Sequence, residues 1–386
     1  MPAWLVAKSA ALACPSAAFD ERLFTRIALT HARSITDQFV ARHGQAVAAA
    51  STGVVALLER WPASTGSVDL AFEPAFGDAR RCVGATAIAT SRARITAASL
   101  ALHLSSRGVG GDWELTFEAP VRLRCGALLL PPADRISVRR DRNLVTLTMR
   151  AAYGRRVCTL PLSSDTARTE LATPYATRLP QLSASGASIR FLTRSALESS
   201  DVVPGAHDAL ESIDPDQIDF VKAALESIEA YAPSYHPWVS RVARDVVLLG
   251  GTEPALDAGS IEAYLGLLQL AASANSVRLA ALLVRESAHQ HFNLLCTLGP
   301  VVDSSDQSHA RRYHALANVL LFYRECLANG TAVGNVANVL REHASRLFPR
   351  VVELESALHD DPLLTEMGRD LIRTLVERLD IDSASA

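Results

Sequence analysis

Four of the 11 histidines fall between positions 289 and 314: His289, His291, His309 and His314. Two of them belong to Val284-Arg285-Glu286-Ser287-Ala288-His289-Gln290-His291. Set against the zinc-binding pattern H-E-x-x-H, this stretch keeps the glutamate and the second histidine, and Arg285 stands where the first histidine would be. On a helix turning about 100° per residue, Glu286 and His289 lie about 60° apart and share a face. Glu-x-x-His at that spacing is a recurring carboxylate–imidazole metal pair in helical proteins. His291 is about 160° from His289 and reads as a surface or satisfied histidine.

His314, on the next long helix, is available as a third ligand. Glu286, His289 and His314 together would make a two-histidine, one-carboxylate set with open positions, the donor set of non-haem Fe(II) oxygenases. The plainer alternative is two buried histidines bonded to carbonyls, with Glu286 paired to a nearby arginine. Spacing alone leaves both open.

The elements that must position these residues follow from composition and pattern. The chain has 386 residues, 49% of them hydrophobic and 20% charged, enough apolar surface for a real core rather than a disordered chain. Lys plus Arg is 38 against Asp plus Glu 41, a net charge of -3, so there is no global basic field for nucleic acid. No run of about 18 uncharged apolar residues is present, so no membrane span is expected. Six scattered cysteines without a C-x-x-C pair fit reduced thiols in a cytoplasm. Neither G-x-G-x-x-G nor G-x-x-x-x-G-K occurs, so no nucleotide phosphate loop is supported.

Periodicity divides the chain into a helical N-terminal segment (1–66), a strand-rich region (67–200) and a helical C-terminal half (201–386). Phe19, Leu23, Ile27, Ala28 and Ile35 recur at helical steps, with Asp20 as the cap of the first helix. Trp113 to Glu118 and Asn143 to Met149 alternate, and Gly108, Gly110, Gly111, Pro131, Pro132 and Gly154 punctuate the runs, as in an antiparallel region. Helices are then expected at Ile218–Tyr231 behind the Asp214-Pro215-Asp216-Gln217 turn, and at Trp238–Leu249. They are also expected from Ser276 behind an Asn275 cap to about Leu298, at His309–Asn329, at Val333–Leu347 and at Arg350–Leu379. The expected class is α+β, with an all-helical C-terminal half carrying the site.

Three stretches in that half resemble a known pattern: Gly259 to Gly266, then Leu279 to Gln290, then Tyr313 to Arg324, which reads Y-H-A-x-A-N-V-x-x-x-Y-R. Together they resemble the HExxH-motif family of peptide-modification proteins found beside ribosomal peptide natural-product genes. The resemblance covers roughly a sixth of the chain. It implies an Fe(II)- and 2-oxoglutarate-dependent dioxygenase that hydroxylates a precursor peptide at a side-chain β-carbon. Carried over, it places Glu286, His289 and His314 at the metal and Glu286 with Arg285 at the catalytic position. Arg285 is the departure, because a guanidinium cannot ligate a cation.

The co-substrate's distal carboxylate calls for a buried cation, preferably a bidentate arginine. Arg311 is about 60° around the helix from His314 and Arg324 about 80° off that face. With Asn318 in the same motif, these are the cofactor-binding candidates. A zincin-like metallopeptidase, in which Glu286 would be the general base, and a catalytically inactive peptide-binding relative are the alternatives. The strand-rich region carries no chemical motif and is a place where a peptide could add as an edge strand.

Overall fold

The structure is a computed structural model, and it describes residues 12–15, 21–61, 68–141, 144–151, 154–161, 176–184, 187–197, 208–250, 258–260, 262–272, 275–330 and 332–383. The expected Asp20 cap lies outside them. The chain is α+β. It opens with α1 (Glu21–Ala48), β1 (Ser51–Thr52), α2 (Val54–Arg60), α3 (Val68–Ala71), α4 (Pro74–Gly84) and α5 (Thr90–Ser106). Helix therefore persists to Ser106, about forty residues further than alternation and turn residues suggest. The reason is composition: α5 buries Ala93, Ala97, Ala98 and Ala101, and alanine is the best helix former without being strongly hydrophobic.

The strands come next. β2 (Trp113–Val121), β5 (Ala133–Asp141), β6 (Leu144–Ala151) and β7 (Gly154–Pro161) form an antiparallel sheet with β1, in the order β1-β2-β5-β6-β7. The two stretches read as alternating are β2 and β6. Trp113, Leu115 and Phe117 are buried on one face of β2, as a period of two requires. Short β3 (Arg124–Cys125), β4 (Leu128–Leu129) and β8 (Thr177–Arg178) make a small second sheet.

A third sheet, in the order β12-β13-β11-β10-β9, corrects the expectation of an all-helical C-terminal half. β9 (Gln181–Ala184) and β10 (Ala187–Phe191) are followed by α6 (Arg194–Leu197), α7 (Pro215–Tyr231) and α8 (Tyr235–Val242), then β11 (Asp245–Leu249), β12 (Ala258–Ser260) and β13 (Leu267–Ala271). β10, β11 and β13 are parallel neighbours, and the outer strands run antiparallel. The expected helix Trp238–Leu249 is thus split: α8 stops at Val242 and Asp245–Leu249 is a strand. Val246, Val247 and Leu248 are all buried. A strand covered on both faces has no alternation to read, so a continuous apolar run looks the same as a buried helix segment.

The last four helices are α9 (Ser276–Cys296), α10 (Ser308–Ala328), α11 (Asn335–His359) and α12 (Glu366–Ser383). Asn275 caps α9, its side chain accepting from the Arg278 N–H at 3.0 Å. Asp214 and Gln217 form a capping box on α7. The expected break near residue 348 is absent: Pro349 sits inside α11, and the chain breaks instead after His359. No helix among the described residues is long and apolar enough to cross a membrane. One apolar cluster runs from Leu12 to Leu379 through all these parts.

A buried ionic network crosses the middle of the fold. Arg190 (β10) binds Asp245 (β11) through Nε at 2.7 Å and Nη2 at 2.9 Å, and binds Glu73 through Nη1 at 2.8 Å. Arg124 (β3) joins both acids, at 3.2 Å to Asp245 and 3.5 Å to Glu73. His103 on α5 stands 3.6 Å from Glu73. Burial alone would raise the Glu73 carboxyl, but the guanidinium groups of Arg190 and Arg124 reverse this and hold it well below the usual carboxylate range. Burial pushes His103 down to about 4, against the pull of Glu73. His31 is also pushed down to about 4, by burial and then by Arg80.

Both histidines are therefore neutral in the folded chain, while the unfolded chain protonates them near pH 6.5. Protons bind the unfolded state preferentially between those values, so stability is fully present above about pH 6.5 and is lost as pH falls towards 4. Each histidine withdraws up to about 1.4 kcal/mol per pH unit in that window. Urea unfolding followed from pH 7.5 to 4.5 should show the decline, and His103→Gln should flatten its slope.

Candidate functional site

α9 and α10 pack on each other, and α9 also packs on α7, α8 and β13. Gln290 fixes α9 against the third sheet. Its Oε1 accepts from the Gly266 N–H at 3.0 Å and its Nε2 donates to the Leu267 carbonyl at 3.1 Å. Gly266 has φ of +82°, a conformation that glycine adopts without cost. Two of the stretches that carry the family resemblance are thus tied by one buried amide. Gln290→Leu leaves a buried N–H and a buried carbonyl unpaired, and urea unfolding should show a loss of about 2–4 kcal/mol.

Glu286 is completely buried, and neither carboxylate oxygen has a hydrogen-bond partner. Arg285 Nη1 stands 3.7 Å from Oε1. Burial pushes the carboxyl up to about 7 against the opposing pull of Arg285 and Arg311. His289 Nδ1 is buried and unpaired, and burial, then Arg311, Arg285 and His314, keep the ring well below its ordinary pKa. So Arg285, Glu286, His289 and Arg311 share one neighbourhood, as the helical spacing indicates.

His314 is also completely buried, with both ring nitrogens unpaired. Its ring centre lies 5.7 Å from that of Phe292. Burial pushes it down to about 4, although the nearby carbonyls of Ala13, Leu12 and Ala288 favour its charged form.

The expected convergence of Glu286, His289 and His314 on one point is not present: among the described residues no three of His, Cys, Asp and Glu are placed to hold a metal ion. The reason is local. His314 is packed against Phe292 and the Leu12–Ala13 backbone, while Glu286 faces two guanidinium groups. The donor types and their lack of partners nevertheless suit an ion. Buried polar atoms are almost always paired in proteins, and here five donor atoms of the right chemistry are not.

The other sequence candidates lie apart. Asn318 is a strut: its Oδ1 accepts from Tyr235 at 3.2 Å, and its Nδ2 donates to the carbonyls of Ala13 at 2.8 Å and His314 at 2.9 Å. Arg324 donates to the Leu379 carbonyl at 2.5 Å and lies over Phe348. His291 is a buried core histidine and not a surface one, stacked on Trp238 at 4.1 Å and donating from Nε2 to the Trp238 carbonyl at 3.1 Å, while its Nδ1 has no partner.

Sequence reasoning passed over the network of Glu73, His103, Arg124, Arg190 and Asp245. Its members are spread along the chain, and the one available signal is an isolated charge ahead of an apolar run, as in Asp245-Val-Val-Leu-Leu. No family model matches the chain, and comparison with curated proteins returns no relative.

Proposed function

We propose that the chain is a cytoplasmic peptide-modification protein of the HExxH type, using Fe(II) and 2-oxoglutarate to hydroxylate a side-chain β-carbon of a ribosomally made precursor peptide. The observation that supports this best is the group of unpaired buried donors: both Glu286 oxygens, His289 Nδ1 and both His314 nitrogens. Each unpaired buried group costs about 1–3 kcal/mol, a cost that an ion held by Glu286 and His289 would relieve at those two residues. One carboxylate and two imidazoles suit ferrous iron. When bound, the iron and its co-substrate would supply the oxidising chemistry.

Under this reading Glu286 and His289, which share a face of α9, would be the ion's ligands, and His314, which does not converge with them, would have to swing from its packed position to complete the set. Arg311, partly buried beside Glu286, is the better placed cation for the co-substrate's carboxylate, because Arg324 lies at the other end of α10. Arg285 keeps Glu286 from standing as a buried charge without a counter-charge. A zincin-like peptidase is less well supported, since Glu286 taken as a ligand is no longer free to act as base.

A second reading rests on the 3.7 Å approach of Arg285 to Glu286. A guanidinium there repels a divalent ion, and the chain would then bind its peptide without changing it. The deciding experiment compares the protein with Arg285→His, each co-expressed with candidate precursor peptides. Expected for the protein as it stands are stoichiometric iron, consumption of 2-oxoglutarate and a peptide heavier by one oxygen atom. If iron and the added oxygen appear only in Arg285→His, the binding-only reading holds for this chain. Peptide cleavage without oxidation would favour the peptidase, and no iron in either form would overturn the hydroxylase.

A further inference from the structure

A cavity of about 760 Å³ opens at the far end of α10 from the motif helix, a size typical of ligand pockets. Its walls come from Cys14 and Pro15, the Pro233–Ser234 turn, α8, α10, α11 and α12. Among the described residues three arginines line it, Arg324 on α10, Arg341 on α11 and Arg378 on α12, against a single acid, Glu325. That acid is already engaged: it accepts from the backbone N–H of Ser234 at 3.0 Å and from the Ser234 hydroxyl. Arg324 is partly buried and oriented by the Leu379 carbonyl and the Phe348 ring. Arg341 and Arg378 are exposed at the rim, and neither pairs with a carboxylate among the described residues. The pocket therefore carries a local excess of positive charge on a chain whose net charge is -3.

The pocket is also connected to the motif. Tyr235, in its wall, donates to Asn318, and Asn318 donates to the His314 carbonyl. Ten residues of α10 separate His314 from Arg324, about 15 Å at the helical rise. An extended peptide covers that span with about five residues.

We propose that this cavity docks an acidic segment of a peptide, its carboxylates held by Arg324, Arg341 and Arg378, about five residues along the peptide from the level of the motif on α10. Guanidinium forks match carboxylates in both charge and geometry. The inference of an acidic occupant stands on the pocket alone; the identity of that occupant as the substrate rests on the hydroxylase reading.

The test uses the metal-free full chain and a fluorescein-labelled tetraglutamate peptide, followed by anisotropy at physiological salt, so that its result does not depend on iron or turnover. Tetraglutamate should bind and tetraglutamine should not. Arg341→Gln/Arg378→Gln should weaken binding about tenfold or more, the scale of about 1.4 kcal/mol. Arg346→Gln/Arg373→Gln is the control: it removes two exposed arginines of the same helices, paired with Glu342 and Asp370 outside the cavity, and should leave binding unchanged. All four positions are exposed, and matching thermal midpoints would show that the variants fold. Equal binding by the two double variants, or no binding by the wild type, overturns the proposal. Displacement of the peptide by succinate at the peptide's own concentration also overturns it, because the occupant would then be a free dicarboxylate.

Discussion

Asp245→Ala is expected to remove about 3–5 kcal/mol of stability, the scale measured when one partner of a buried ion pair is deleted. Asp245 is completely buried and receives four guanidinium contacts, two from Arg190 and two from Arg124. Without it, two nearly buried cations share Glu73 alone. Folded domains are stable by only about 5–15 kcal/mol, so the loss takes a large part of the total. Urea unfolding or a thermal scan will measure it. Arg346→Gln, which breaks an exposed pair with Glu342, should leave the midpoint nearly unchanged. Replacing Asp245, Arg190, Arg124 and Glu73 together by apolar residues should cost less than the single deletion, because no unpaired charge then remains buried.

The second large effect runs against helix propensity. Gly77 lies within α4, where alanine would normally gain about 1 kcal/mol. Here a Cβ would stand 2.3 Å from Cδ1 and 2.6 Å from Cγ of Tyr264. The ring is completely buried and cannot move into solvent. Its hydroxyl donates to Asp78 at 2.7 Å, beside the Arg92 contact at 3.0 Å to the same oxygen. Gly77→Ala must displace the ring and lose that hydrogen bond. Overpacking costs about 1–3 kcal/mol and a bond to a charged group about 1.5–3 kcal/mol, so the net expectation is a loss of about 3 kcal/mol. Gly84→Ala, on the same helix with open space around the new methyl, should be neutral or slightly stabilising. Equal behaviour of the two variants would show that the Tyr264 ring has room to shift.

What could be read from the sequence depended on whether the signal was local. α9 and α10 were legible because Asn275 caps one and Gly330 follows the other. β2 and β6 were legible because one face of each differs in polarity from the other. β11 was not, since burial on both faces erases the pattern, and α4 and α5 were not, since their alanines carry little hydrophobic contrast. At the site, helical rotation placed Glu286 and His289 together and removed His291 from the ligand set. Rotation could not reveal that Phe292 and the distant Leu12–Ala13 backbone surround His314. Nor could it show that Tyr264, within a stretch that carries the family resemblance, is a packing partner of Gly77.

The pairing of Arg190 with Asp245 has a consequence for synthesis on the ribosome. β10 gains its parallel neighbour, and Arg190 its bidentate partner, only when β11 emerges. At about 5–20 residues per second, the nascent chain carries Arg124, Arg190 and Glu73 for several seconds with one carboxylate too few. The first 200 residues are thus not a finished unit that waits for the rest. Their interior closes late, on a strand supplied from the second half, which makes the waiting half a natural client for chaperones and a poor choice for expression as a fragment.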